Sequence, residues 1–121
     1  MWSQARRQRL IMKEYNKLVR DAIPEIISSR GSAVNYITLS DEDYKLALKT
    51  KLVEEAFEVK NAETREQLIE ELADLITVYE SIVDAFGLTQ AGVREKYISK
   101  LNKRGGFHKK YFLISAEEDT K

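Results

Sequence analysis

Two short stretches carry the residues best suited to chemistry. Leu52-Val53-Glu54-Glu55-Ala56-Phe57-Glu58-Val59 and Leu68-Ile69-Glu70-Glu71-Leu72-Ala73-Asp74-Leu75 each hold two acids three positions apart, Glu55 with Glu58 and Glu71 with Asp74. At about 100° per residue, residues so spaced share one face of a helix. On a helical wheel Glu55 falls between Leu52 and Val59, in a stripe that Leu48 extends, and Glu71 falls between Leu68 and Leu75, with Val78 continuing the line. A carboxylate in an apolar stripe loses hydration on folding, which costs several kcal/mol unless a cation or hydrogen-bond donors compensate. Two helices make the same costly choice. Glu58 and Asp74 sit on the shoulders of the stripes, so packing the helices face to face would converge four carboxylates.

Four oxygen donors without histidine or cysteine suit a hard cation, with magnesium expected and manganese as the alternative. Magnesium held by carboxylates keeps waters and takes phosphate oxygens as further ligands, so such a site implies a phosphate substrate. Ordinary acids on solvated faces, with Lys51 and Arg65 as helix-pair partners, would account for a single pair but not for the repeated placement inside both stripes. An EF-hand loop is absent, and no aromatic cleft of the glycosidase kind accompanies the acids.

The elements that must position these residues are legible in order. Asp21 as N-cap, Pro24 in a first turn and Gly31 past the end predict a short helix near 22–30. Alternating β-branched and aromatic residues at 34–38 read as a short strand, which could pair with 111–114 in a two-stranded β element. Ser40 with an acidic first turn opens a helix near 41–62 along Tyr44, Leu48, Leu52, Glu55 and Val59. Thr64 with Gln67 opens another near 65–86, stopped by Gly87, and Thr89 caps a third to about 102, with Val93, Tyr97 and Leu101 facing inward. Arg104-Gly105-Gly106-Phe107 ends it. The fold expected is mainly α, an antiparallel helical bundle forming one domain over 1–121. Residues 1–11 read as a basic arm or start-site extension ahead of Met12, and 115–121 as a frayed tail.

The chain has 121 residues, 43% hydrophobic and 33% charged, with lysine plus arginine balancing aspartate plus glutamate at 20 each. That balance gives no global field for nucleic acid or anionic membrane, so the basic patches at Arg6 to Arg9 and Lys100 to Lys110 predict no specific nucleic-acid binding. No cysteine is present, which excludes disulfides and thiolate metal sites within the chain. No run approaches a membrane span, and a cytoplasmic location is expected.

The spacing Glu55-x-x-Glu58, twelve positions, Glu71-x-x-Asp74 resembles the ExxE…ExxD signature of the all-α NTP pyrophosphatase superfamily, the MazG-like and phosphoribosyl-ATP pyrophosphohydrolase-like proteins. Tyr15-Asn16-Lys17-Leu18-Val19-Arg20-Asp21 with Ile23-Pro24-Glu25-Ile26-Ile27, and Arg104-Gly105-Gly106-Phe107, look like the two ends of a small MazG-like subgroup of predicted house-cleaning pyrophosphatases. Ala22 stands where the subgroup often has lysine. The resemblance implies a magnesium site formed by Glu55, Glu58, Glu71 and Asp74, at which water attacks the α-phosphate of a nucleoside triphosphate and releases monophosphate and pyrophosphate. It makes Glu54 a group that supports the metal ligands from behind or activates water, against a wheel position that reads as plain surface. It also implies a homodimer or homotetramer, with parts of one pocket from two subunits.

The triphosphate needs cations. Lys17 and Arg20, with Asn16 beside them, form one candidate set next to a helix start; Lys100 and Arg104 form another, where Gly105-Gly106 lets backbone approach phosphate. His108 reads as surface, and Tyr36, Phe107 and Tyr111 as core rather than as base-stacking groups. The enzyme-class alternative is phosphoribosyl-ATP pyrophosphohydrolase. The alternative from another class is a non-catalytic nucleotide- or metal-binding helical module.

Overall fold

A three-residue link, 62–64, joins the two helices that carry the acids and lays them side by side. The computed structural model describes residues 12–119, and its regular structure is entirely helical: α1 Ile23–Ser29, α2 Asp41–Asn61, α3 Arg65–Ala85 and α4 Gln90–Arg104. The expected arm at 1–11, with Arg6 to Arg9, and the end of the tail at 120–121 lie outside the described residues.

The caps of the three long helices fall where the sequence puts them. The Asp43 N–H donates to Ser40 Oγ at 3.2 Å, ahead of a first turn in which Asp41, Glu42 and Asp43 complement the helix dipole. Thr64 and Gln67 form a reciprocal capping box, at 3.1 Å and 3.4 Å. Thr89 Oγ1 accepts from the Gly92 N–H at 2.9 Å. Gly87 takes a positive φ of 66° as α3 ends, and the Leu88 N–H turns back to the Val83 carbonyl at 2.9 Å.

Helices α2 and α3 pack against each other and bury Leu48, Val78 and Val83, with Leu52, Val59, Leu75 and Ile82 half-buried around them. Several expectations fail at the periphery, for one shared reason: little of the chain packs outside this helix pair. The N-cap of α1 is Ala22, without a side-chain bond, not Asp21. Among the described residues there is no strand, and 34–38 and 111–114 run without regular structure. A two-stranded ribbon with no sheet or helix face beneath it is marginal in water. Tyr97 and Leu101 are exposed although Val93 is half-buried, because α4 lies against the pair only near its start, where Tyr79 Oη and Gln90 Oε1 meet at 3.2 Å. Tyr36, Phe107 and Tyr111 are exposed and fill no core. His108 is exposed, as expected.

Candidate metal and phosphate site

Packing α2 on α3 brings one carboxylate oxygen from each of Glu55, Glu71 and Asp74 within 4.8 Å of one another. Glu55 is buried in the apolar stripe, as its wheel position required, while Glu71 and Asp74 are half-buried at the rim. The fourth expected ligand, Glu58, is exposed and outside this group of three, one step further round α2. It is near enough to contribute to the field on Glu71. The Glu71 carboxyl is held above its ordinary value, first by partial loss of hydration and then by the charges of Asp74, Glu55, Glu58 and Glu70.

Three cations meet the acids. The Arg20 guanidinium donates to Asp74 Oδ1 at 2.6 Å and to Thr77 Oγ1 at 3.2 Å. Lys17 Nζ lies 3.3 Å from Glu54 Oε1, and Lys51 Nζ lies 3.2 Å from the same oxygen and 3.5 Å from Glu55 Oε1. Loss of hydration pushes the Glu54 carboxyl up, but hydrogen bonds and charge from Lys51 and Lys17 outweigh it and leave the group below its ordinary value. The Glu54 carboxylate thus meets two lysines, one from the segment before α1 and one from its own helix.

The segment before α1 delivers Lys17 and Arg20, and Asn16 turns it with a positive φ of 46°, a conformation that asparagine tolerates. Asn16, Lys17, Lys51 and Glu54 line an open cleft of about 450 Å³ beside the acids. The structure thus gathers Asn16, Lys17, Arg20, Glu54, Glu55, Glu71 and Asp74. Lys100 and Arg104 are exposed on the far part of α4, and no side-chain hydrogen bond or ion pair among the described residues joins them to this cluster. Two residues join the cluster beyond the expected set: Lys51, expected only as a helix-pair partner on a solvated face, and Thr77, which no expectation names. Lys51 stands four positions before Glu55, the spacing of a helical ion pair, and Thr77 stands three after Asp74 on the same face of α3.

Similarity to known proteins is limited to part of the chain. A 54-residue stretch is 46% identical to a protein of Mycolicibacterium smegmatis described as uncharacterized, covering 45% of this chain and 55% of the relative. The chain spans about half the length of that relative. No family profile and no solved structure matches.

The donor set fits a hard divalent cation. All three groups offer carboxylate oxygens, and oxygens across a magnesium octahedron stand about 4.2 Å apart, comparable to the spread of this cluster. The cations at its edge, Lys17, Arg20 and Lys51, are each paired with an acid.

Proposed function

We propose that the chain is a magnesium-dependent nucleoside triphosphate pyrophosphohydrolase that cleaves between the α- and β-phosphates. The observation that carries this reading is the triad Glu55, Glu71 and Asp74, bordered by Lys17, Arg20 and the Asn16 cleft. Glu55, Glu71 and Asp74 would hold the ion, with Glu58 completing the set by a change of rotamer, and manganese could replace magnesium. When bound, the ion supplies charge neutralisation at the phosphate and acidifies a water. Arg20, exchanging Asp74 for a phosphate oxygen, and Lys17 would orient the triphosphate. Lys51, held on Glu54 and Glu55, keeps the buried carboxylate of Glu55 compensated. Lys100 and Arg104 contribute only if a second copy brings α4 to the cleft.

In this reading α2 and α3 are part of an antiparallel bundle completed in a homodimer or homotetramer. The setting is cytoplasmic, and the substrates are non-canonical nucleotides of the house-cleaning kind. No helix among the described residues is long and apolar enough to cross a membrane.

The test is pyrophosphate release from a panel of canonical and modified triphosphates, and from phosphoribosyl-ATP, with and without magnesium. Metal-dependent release is expected; turnover confined to phosphoribosyl-ATP would move the assignment to that enzyme. One observation favours a second reading: Arg20 on Asp74 and Lys51 on Glu55 already neutralise much of the cluster. A non-catalytic module would bind nucleotide with magnesium and turn nothing over.

A further inference from the structure

The C-terminal stretch 107–114 displays five large apolar side chains, Phe107, Tyr111, Phe112, Leu113 and Ile114, at 79–97% exposure. The contacts recorded for it among the described residues are local: the Lys110 N–H reaches the Phe107 carbonyl at 3.1 Å, and the Lys109 ammonium stands 5.9 Å from the Tyr111 ring. Helix α3 has the converse feature. Ile69, Leu72, Ile76 and Tyr79 recur at helical spacing along one face, and all four remain exposed.

Charge divides the same two regions although the whole chain is neutral. Helix α3 carries Arg65 against six acids, Glu66, Glu70, Glu71, Asp74, Glu80 and Asp84. Residues 90–114 carry seven lysines and arginines against Glu95 alone. An acidic helix with an apolar stripe therefore faces solvent in the same molecule as a basic segment with an apolar arm.

The uncovered area exceeds that of a compact monomer. The accessible surface is 11813 Å². Subtracting the most that residues 1–11 and 120–121 can contribute still leaves an excess on the order of 2,500 Å² over a compact monomer of 14.0 kDa. One partner in a standard interface supplies only about 800 Å². The three aromatic side chains of the arm can each cover about 200 Å², so two arms exchanged about a twofold axis would hide on the order of 1,200 Å² from their own side, the lower bound of a specific interface.

We propose that the arm 107–114 of one copy docks on the acidic, apolar face of α3 in a second copy, in a reciprocal exchange. This rests on the homo-oligomer part of the reading above and is independent of the hydrolytic chemistry. Lys109 and Lys110 lie toward the acidic residues that border the α3 stripe, while Phe112 and Ile114 supply apolar contact.

The absence of native cysteine makes a direct test clean. Full-length chains carrying Leu113→Cys are mixed with chains carrying Ile76→Cys under mild oxidation, alongside the Leu113→Cys/Ile76→Cys double variant in dilute solution, and light scattering gives the mass of the unmodified protein. The proposal expects a dimer or larger, disulfide-linked heterodimers from the mixture, and dissociation by the exposed-site variant F112E/I114E with helical circular dichroism unchanged. Raising salt should loosen the assembly. A monomer at every concentration overturns self-association. An assembly unaffected by F112E/I114E overturns the role of the arm, and an intrachain disulfide in the double variant with no interchain product shows the arm folding on its own helix instead. None of these outcomes depends on whether nucleotide is hydrolysed.

Discussion

Replacing Arg20 with glutamine should strengthen magnesium binding and weaken nucleotide binding in the same protein. Arg20 sits 2.6 Å from Asp74 with side chains 55% and 38% exposed, so solvent screens the pair and its worth is about 0.2–1 kcal/mol. A metal ion that needs Asp74 must displace that guanidinium, and Arg20→Gln removes the competitor. Magnesium affinity without nucleotide should rise by about 1.4- to 5-fold, as read by isothermal calorimetry. The triphosphate loses a charge-assisted hydrogen bond worth about 1.5–3 kcal/mol, so KM should rise by roughly one to two orders of magnitude. The two shifts have opposite sign, which general damage to the fold would not produce. Unchanged or weaker magnesium binding, or an unaltered KM, refutes the assignment of Arg20 as a group shared between Asp74 and phosphate.

Glu55→Gln and Asp74→Asn should each lower turnover at least about 100-fold with helical circular dichroism retained, because each replaces a charged carboxylate of the compact triad with a neutral, weaker oxygen ligand. Full activity in either variant would exclude that carboxylate as a ligand. In metal-free protein, Glu71 and Glu54 should affect stability in opposite directions with pH. Glu71 has a native pKa above 4.5, so the folded state holds its proton more tightly; stability falls as pH rises through the window from 4.5 to the raised value, and Glu71→Gln should raise Tm at neutral pH with the gain vanishing in acid. Glu54 has a native pKa below 4.5, so its contribution is present above 4.5 and lost as pH falls through the lowered value; Glu54→Gln should lower Tm at neutral pH and not in acid. Thermal melts across that range decide both signs. Leu48→Ala empties a site only 2% exposed and should cost about 2–5 kcal/mol, a large share of the stability of a chain with so few buried apolar residues; a Tm within 2 °C of the parent would contradict this core.

The three long helices were readable because their signals are local: Ser40, Thr64 and Thr89 each reach a backbone N–H three residues on, and no tertiary contact is needed to specify that. The anomaly of Glu55 was readable for the same reason, since its neighbours in the stripe are its own helix neighbours. Glu58 was harder, because its shoulder position leaves the outcome to rotamer and partner. The pairing of 34–38 with 111–114 and the inward face of Tyr97 and Leu101 depended on what packs beyond one helix pair. The apolar pattern of those residues is real. What covers them is not encoded in periodicity, and the single chain leaves them in water. Lys51 and Thr77 illustrate a different limit, in that i,i+4 and i,i+3 spacing permits many pairs and only the meeting of α2, α3 and the segment before α1 selects these.

The central claim is that water is delivered to the α-phosphate beside Glu55, Glu71 and Asp74. Hydrolysis of a nucleoside triphosphate in ¹⁸O-labelled water with magnesium, followed by mass spectrometry of the products, tests it most directly. The account predicts one ¹⁸O in the nucleoside monophosphate and none in pyrophosphate, with both products lost in Asp74→Asn. Label in pyrophosphate, release of inorganic phosphate from the γ-position, or no hydrolysis of any nucleotide offered would contradict it.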